Sequence, residues 1–370
     1  MSIAAPAEEF VELIEVELKA RAARWTENLA PYGLPAQIGI EGLRRGHWGS
    51  SHVPGRLLGA SYQAHGGAAA PGAFSVQRMV LIGAAAELFM DATLAHDDLI
   101  ARSDTRRGQP SLHRHFEDLH RQASWTGEPM RMGTGLASLA GDAMLAVSGD
   151  LVLEATIDAP PAQRAYMTRL IQSTKLERFL GQAMDAVYPH LPDTDHPEQI
   201  VERAMATIRA KTARTLAAAP LALGAAGAGA PQAECGAMAA MGLHLGAAYQ
   251  LHDDVQGALG SPEETGKPAG QDLIDGKRTV LVGLTLSLLG AQERRSFTNA
   301  LQRGAAPPVE ARVEHLQGVI RRSGALEAIE VMIADRRRRA LDCLASSGVG
   351  PEGRAALAQA CDWLLDSARM

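Results

Sequence analysis

Long apolar runs with few prolines recur along the chain, and they predict helices. The clearest covers residues 79–98, MVLIGAAAELFMDATLAHDD, which is apolar around most of a helical cylinder, as expected of a helix buried among other helices. Aromatic residues are scarce, and Ala, Leu, Glu and Arg outnumber the β-branched residues, so local preference favours helix over strand. Similar helical patterns cover residues 7–30, 136–155, 162–188, 199–217, 233–254, 278–289, 308–323, 325–346 and 351–368.

Glycine and proline mark the breaks between these predicted helices. The breaks fall at residues 54–55, 66–67, 160–161, 224–231 and 260–276. None has the composition of an interdomain linker. The pattern therefore predicts an all-α fold in a single domain over residues 1–370.

Composition excludes several classes of protein. Hydrophobic residues make up 46% of the chain and charged residues 21%, so it can bury a sizeable core. The net charge of -6 argues against a nucleic-acid partner, which would need a dominant basic surface. The three cysteines are scattered and form no metal-type pair, which fits a reducing cytoplasm. An acidic amino terminus and the absence of a long unbroken apolar segment predict neither an export signal nor a transmembrane segment.

Two of the predicted apolar helices end in the same three residues, His-Asp-Asp, with Asp97 and Asp98 in the first and Asp253 and Asp254 in the second. Adjacent carboxylates repel each other and are costly to bury unless cations neutralise them. Hard, oxygen-liganded ions such as Mg²⁺ meet that need. Solvated surface acids would explain one such pair, but two pairs favour metal binding.

Basic residues follow both acidic pairs. Arg106 and Arg107 come after the first pair, while Lys267 and Lys277 follow the second in a glycine-rich segment, GSPEETGKPAGQDLIDGKRT. Metal-binding carboxylates surrounded by Lys and Arg predict a site for a diphosphate, whose charge needs metals and hydrogen-bond donors.

The ordered motifs HDD...RRGQPS, GQAMD, KT and YQLHDD...GKPAGQDL..GKRT resemble the trans-isoprenyl diphosphate synthase (polyprenyl synthetase) family. The resemblance covers residues 66–370 and leaves residues 1–65 as divergent amino-terminal helices. It implies a single all-helical isoprenoid synthase domain, a helical bundle around a deep central cavity, and a homodimer. It also implies an allylic prenyl diphosphate substrate bound with about three Mg²⁺ ions.

The family's functional positions carry over residue by residue. The resemblance implies that Mg²⁺ is bound by Asp97, Asp98, Asp253 and Asp254. It implies that the allylic diphosphate is bound by Arg106, Lys211 and Lys267, with Lys277 as a further cation. Arg107 falls where the family binds the diphosphate of isopentenyl diphosphate. The positions near the reacting carbon or facing the cavity are Thr212, Gln250, Gln182 and Asp185.

The chain departs from the family where isopentenyl diphosphate binds. The counterpart of the family's Gly-Lys-Arg-x-Arg-Pro stretch is residues 49–54, GSSHVP, which contain no Lys or Arg, and a shifted alignment would recover only Arg56. The position seven residues before the first aspartate, often His or Gln in the family, is Met90. These losses would remove several charge-assisted hydrogen bonds to a second substrate.

The first acidic motif has also changed. The family's aspartate one helical turn after Asp97 is Ala101 here, and Asp104 is the nearest replacement as a metal ligand. On a continuous helix Asp104 would lie about 10 Å beyond Asp97. The alternative to the family's set of Mg²⁺ ions is therefore a smaller set.

Three functions remain after these comparisons of motifs. Because the allylic set is complete while the second set is depleted, the sequence favours a terpene synthase-like enzyme that ionises a prenyl diphosphate of about C15–C20. The first alternative is a chain-elongating prenyltransferase, such as a geranylgeranyl or polyprenyl diphosphate synthase. The second is a non-catalytic subunit of a heteromeric prenyl synthase.

The substrate's chain length is predicted from three residues that precede Asp97. Ala92 and Thr93 are small, so a prenyl tail could pass them before it meets the aromatic ring of Phe89. This arrangement favours about C20 over C10. Close helix packing is the alternative explanation for the two small residues.

Overall fold

The computed structural model describes residues 5–47, 49–191, 196–260, 270–302 and 308–368. This part of the chain is almost entirely helical and confirms the predicted all-α fold. The helices are α1 (Ala5–Leu29), α2 (Leu34–His47), α3 (Val53–Ala64), α4 (Val76–Ala101), α5 (Leu112–Gln122), α6 (Pro129–Thr156), α7 (Pro161–Val187), α8 (Pro197–Ile208), α9 (Ala219–Gly227), α10 (Gln232–Leu259), α11 (Gln271–Ile274), α12 (Val280–Leu288), α13 (Ala291–Leu301), α14 (Val309–Ser323), α15 (Ala325–Ala345) and α16 (Pro351–Ser367). A π-helical segment, Arg209–Ala218, connects α8 to α9.

The helices form two compact units. Unit 1 contains Met1–Ile171, Pro220–Gly236 and Gly348–Leu357, and unit 2 contains Gln172–Ala219, Ala237–Ser347 and Ala358–Met370. The assignment of residues 1–370 to one family domain is not tested by this division and stays a prediction.

Helix α4 is the core of unit 1. It packs against α1, α3 and α6, and its residues are buried on several sides, as its apolar sequence predicts. The hydroxyl of Ser148 on α6 donates to the backbone carbonyl of Ala85 at 2.8 Å, and Gly83 leaves room for Ile14 and Phe10 of α1. These contacts fix the helix that carries the first acidic pair.

Unit 2 is built around α12. This short helix packs against α8, α14 and α15, and Leu281 and Val282 are fully buried. Thr279 caps its amino terminus because the Thr279 hydroxyl accepts a hydrogen bond from the Val282 N–H. The π-helical segment packs against α8 in the same unit.

Two described helices, α4 and α6, are long and apolar enough to cross a membrane. Length and composition alone are weak evidence for such a span, and the relevant part of α4 is 78% buried inside the protein. The absence of a transmembrane segment stays a prediction.

Candidate active site

The first acidic pair lies in the last turn of α4, which ends abruptly. Arg102 adopts the left-handed conformation (φ 53°), and its N–H donates to the carbonyl of Asp98. A two-stranded antiparallel hairpin follows, with β1 (Thr105–Arg106) paired to β2 (Gln109–Pro110). Its turn residues, Arg107 and Gly108, both have positive φ, as a tight hairpin turn requires. The hairpin brings Arg106 and Arg107 beside α4.

The two aspartates of this pair have different surroundings. Asp98 is buried and accepts hydrogen bonds from Nε and Nη2 of Arg106 at 2.5–3.2 Å. The side chain of Asp97 is 21% exposed, and its nearest Arg106 nitrogen is 3.7 Å away. Asp98 therefore positions Arg106, while Asp97 is the more exposed carboxylate of the pair.

Asp104 lies beyond the end of α4, so the continuous helix assumed for its distance from Asp97 does not exist. Its carboxylate accepts a 2.7 Å hydrogen bond from Nε of Arg114 on α5, and its side chain is 73% exposed. Metal binding by Asp104 stays a prediction, and it would have to compete with Arg114.

Arg107 makes a separate cluster deeper in unit 1. Its guanidinium donates to a carboxylate oxygen of Asp91 at 3.2 Å and to the carbonyl of Gly46 at 3.3 Å. The other Asp91 oxygen lies 2.5 Å from Nδ1 of His47. Burial opposes a charge on His47, but the hydrogen bond and charge of Asp91 outweigh burial and raise the pKa of His47. Arg107 is thus held by a buried carboxylate.

Glu87 lies one helical turn before Asp91 and is fully buried. Its carboxylate accepts hydrogen bonds from the N–H of Gly55 at 2.7 Å and the hydroxyl of Ser50 at 3.2 Å. Burial, with the nearby charge of Asp91, raises the pKa of Glu87 to about 7. His52 lies 3.6 Å away, and burial lowers the pKa of His52.

This pKa predicts a pH-dependent stability. Since the pKa of Glu87 rises from 4.5 to about 7 on folding, the folded state binds more protons between these values. The free energy of unfolding should therefore fall as pH rises through this window, by up to about 3 kcal/mol. Glu87→Gln keeps an acceptor for the N–H of Gly55. We expect it to remove this pH-dependent part of the free energy of unfolding, measured by urea unfolding at pH 5 and pH 7.5. Glu12→Gln, an exposed substitution on α1, should behave as wild type, and an unchanged pH slope in Glu87→Gln would contradict the assignment.

A small cavity of about 40 Å³ lies beside this cluster in unit 1. Its charged and polar walls include Arg45, Asp91, Asp98, Arg106, Arg107 and His115. The cavity therefore brings the two hairpin arginines together with side chains from α2 and α5.

In unit 2, the π-helical segment carries Lys211 and Thr212. Nζ of Lys211 donates to the carboxylate of Asp185 on α7 at 2.6 Å, and the hydroxyl of Thr212 donates to Oε1 of Gln250 on α10 at 2.7 Å. A π-helix shifts the backbone register relative to an α-helix and is frequent at functional sites. The structure thus connects four of the predicted site residues in two pairs.

The second acidic pair lies on α10 beside Gln250. The amide nitrogen of Gln250 donates to Asp253 at 2.8 Å and to Asp254 at 2.9 Å. Asp253 is exposed and Asp254 is buried, the same division as in the first pair. Burial raises the pKa of Asp254 well above its usual range, and the charge of Asp272 adds to this effect. A cation would stabilise the ionised form of this carboxylate.

Lys277 also joins this group, because its Nζ donates to Asp272 at 2.6 Å. Lys267 lies outside the described residues. On α7, Gln182 is half-buried and lies one helical turn before Asp185. The roles of these residues toward a substrate stay predictions.

The three residues predicted to set the substrate's chain length are all buried. Ala92 has no exposed surface, and Phe89 is 4% exposed. The hydroxyl of Thr93 donates to the carbonyl of Met90 at 2.8 Å. Burial fits both close helix packing and contact with a substrate tail, so the chain-length assignment stays a prediction.

The donors in both acidic pairs are carboxylate oxygens, which suit Mg²⁺. Within the described ranges, no group of three or more His, Cys, Asp or Glu side chains converges to hold a metal. Mg²⁺ in proteins is usually coordinated by only one or two carboxylates together with substrate phosphates, so a larger cluster is not required. Asp97, Asp98, Asp253 and Asp254 fit that role.

Sequence reasoning missed several charged residues of unit 1. Glu87 and Asp91 stand in a helix that was interpreted only as apolar, and a buried carboxylate in such a helix signals a specific partner. His47 was not singled out because its partner, Asp91, lies 44 positions away. Arg45 was not singled out because the cavity that it lines is formed with hairpin residues far away in the sequence. Arg56, the possible substitute ligand, instead lies 3.7 Å from Glu8 of α1.

Comparison with known proteins identifies the class. The polyprenyl synthetase family model matches residues 55–317, and the chain belongs to this family. The match confirms the family predicted from the motifs.

Individual relatives support the same class. A short chain isoprenyl diphosphate synthase of Methanothermobacter thermautotrophicus is 30% identical over 77% of this chain and 78% of its own length. A (2E,6E)-farnesyl diphosphate synthase of Mycobacterium tuberculosis is 35% identical over 61% of this chain, and the chain spans about half (53%) of that protein. The crystal structure of geranylgeranyl pyrophosphate synthase from Corynebacterium glutamicum, complexed with isoprenyl diphosphate and magnesium, superposes with a TM-score of 0.87, at 28% identity and with full coverage of both chains. These relatives are prenyl diphosphate synthases, the predicted class of enzyme, and they fit the chain-elongation alternative better than the terpene synthase-like function that the sequence favoured.

Proposed function

We propose that this protein is a chain-elongating prenyltransferase that joins isopentenyl diphosphate to an allylic prenyl diphosphate and releases diphosphate. One observation on this chain supports the proposal independently of its similarity to the relatives. The hairpin after α4 holds Arg106 against Asp98 and Arg107 against Asp91, so both family positions that bind a diphosphate keep an oriented guanidinium.

Different residues would bind the diphosphate, orient the binding groups and hold the metal ions. In unit 1, Arg106 would supply positive charge for the allylic diphosphate, and Asp98 orients it through a 2.5 Å hydrogen bond. In unit 2, Lys211 would have the same role, and Asp185 orients it through a 2.6 Å hydrogen bond. Asp97 and Asp98 in unit 1 and Asp253 and Asp254 in unit 2 would hold Mg²⁺, which would supply positive charge to neutralise the diphosphate leaving group.

Thr212, the residue after Lys211, is hydrogen-bonded to Gln250, and the oxygen atoms of this pair would stabilise a carbocation formed beside them. The double bond of isopentenyl diphosphate then attacks the cation. Loss of a proton completes the longer diphosphate.

A second candidate is ionisation of one substrate without elongation, as in a terpene synthase. It is favoured by the buried carboxylate of Asp91, which already bonds to Arg107. Residues 49–54 also lack the family's Lys and Arg. Both features weaken an anion site beside Arg107.

Incubation with Mg²⁺ and geranyl, farnesyl or geranylgeranyl diphosphate, with and without labelled isopentenyl diphosphate, distinguishes these functions. Labelled products with longer prenyl chains support elongation. Hydrocarbons or alcohols formed without isopentenyl diphosphate support the second candidate. If the folded protein forms no product either with or without isopentenyl diphosphate, the remaining explanation is a non-catalytic subunit.

The preferred chain length is part of the proposal, at about C15–C20. We expect Ala92→Phe to shift preference toward shorter allylic diphosphates, because a ring at this buried position would shorten the space for a tail. Relative kcat/KM for geranyl, farnesyl and geranylgeranyl diphosphates would show the shift. An unchanged preference at comparable activity would mean that Ala92 only packs against neighbouring helices.

We also propose a cytoplasmic homodimer. Exposed apolar side chains on α6, including Leu139 and Leu153, supply a surface that a second copy could cover. Light scattering coupled to size-exclusion chromatography measures the assembly.

A further inference from the structure

The cavity of unit 1 is lined in part by two side chains that do not belong to the family's motifs. Arg45 lies in the last turn of α2, and His115 lies on α5, yet both line the same cavity as Arg106 and Arg107. The carbonyl of Gly46, next to Arg45, accepts a hydrogen bond from Arg107 at 3.3 Å. Arg45 and Arg107 are therefore brought together by the packing of the hairpin on α2.

The three arginines around this cavity have different carboxylate partners. Arg106 is paired with buried Asp98, and Arg107 is paired with buried Asp91. Arg45 instead pairs with Glu41 one helical turn away, and their side chains are 30% and 42% exposed. Such solvent-screened helix pairs are weak, so an anion in the cavity can compete with Glu41 for the guanidinium.

His115 supplies an uncharged donor. Its Nε2 is buried and has no hydrogen-bond partner among the described residues. A buried polar nitrogen without a partner is unfavourable, and His115 lines the cavity, so its ring is the second candidate donor to a ligand there. Burial lowers the pKa of His115, and the charge of Arg45 adds to this effect, so the ring is neutral and can donate one N–H.

We propose that Arg45, assisted by His115, replaces the missing Lys and Arg of residues 49–54 and completes the pocket for the diphosphate of isopentenyl diphosphate beside Arg107. The Asp91–His47 pair holds the Arg107 guanidinium at this pocket. This inference rests on the proposed elongation activity. It assigns the second-substrate site to side chains from α2 and α5 rather than from the segment between α2 and α3.

The test compares Arg45→Gln with Arg44→Gln. Arg44 is the exposed neighbour of Arg45 on the same helix and does not line the cavity, so it is a matched control for loss of one positive charge. We expect Arg45→Gln to raise KM for isopentenyl diphosphate at least about tenfold, because one charge-assisted contact is lost. The KM for the allylic diphosphate should stay within about twofold, and Arg45→Lys should recover part of the loss. Arg44→Gln should match wild type, and an unchanged KM for isopentenyl diphosphate in Arg45→Gln would overturn the assignment.

Calorimetric binding of isopentenyl diphosphate separates failure of this pocket from failure of the proposed function. If wild type binds isopentenyl diphosphate without elongating it and Arg45→Gln binds it weakly, the pocket stands and the elongation activity does not. If wild type elongates and Arg45→Gln binds as wild type does, the activity stands and the pocket does not. Absence of both binding and elongation in folded wild type would overturn both. His115→Ala, with its fold checked by thermal melting, should weaken the same binding by about threefold to tenfold.

Discussion

Replacement of Asp97 by alanine is expected to lower turnover by at least about a thousandfold. Asp97 is the more exposed aspartate of the first pair, and its carboxylate lies 3.7 Å from Arg106 rather than in the close contact that Asp98 makes. The substitution therefore removes a proposed metal ligand without removing the carboxylate that holds Arg106. A steady-state assay with allylic and isopentenyl diphosphates over a range of Mg²⁺ concentrations measures the effect.

Asp150→Ala is the control for this prediction, because Asp150 is an exposed acid on α6 of the same unit. It should retain wild-type turnover and the wild-type Mg²⁺ dependence. Asp98→Ala should also lose turnover, but it would release Arg106 and so is less specific for the metal. If Asp97→Ala kept a rate within tenfold of wild type at every Mg²⁺ concentration, Asp97 would not be a metal ligand.

The helix that carries the first acidic pair was predictable because its sequence is apolar on almost every face. Such a segment has no stable place except among other helices, so residues 79–98 predicted the core helix α4 within a few residues. Residues 1–65 were predicted to be helical, but the bounds of α2 and α3 were not predicted, and α5 and α13 were missed. The end of α4 was also hidden, because Arg102, which adopts the left-handed conformation there, is not a residue that usually ends helices.

The other features that the sequence did not predict depend on the three-dimensional contacts of the chain. Motif order identified Lys211, Thr212 and Gln250, and the structure joins the last two by a hydrogen bond. The sequence did not reveal that residues 209–218 are π-helical. The spacing of apolar residues does not indicate which backbone carbonyl accepts the hydrogen bond of each N–H. The cavity beside Arg107 depends on Arg45, which is 62 positions away in the numbering, so no local pattern connects them.

The second large effect is expected from a methyl group added to α10. Gly242, Gly246, Gln250 and Asp254 recur every four residues and so share one face of the helix. A Cβ on Gly246 would lie 2.6 Å from the Cα of Ala213 and 3.0 Å from its carbonyl oxygen. Both are backbone atoms of the π-helical segment, immediately after Lys211 and Thr212, so a side-chain rotation cannot relieve the clash.

We therefore expect Gly246→Ala to destabilise the protein by about 2–3 kcal/mol. It should also reduce kcat by about a hundredfold, since displacement of the Thr212–Gln250 pair by an ångström misplaces both groups. Urea unfolding and steady-state kinetics measure the two effects. Gly236→Ala is the matched control on the same helix, because its Cβ would meet no atom within 4 Å. That variant should be as stable as wild type or up to about 1 kcal/mol more stable, as alanine is the better helix former. If both glycine variants behaved alike, the close approach of α10 to the π-helical segment would not hold the Thr212–Gln250 pair in place.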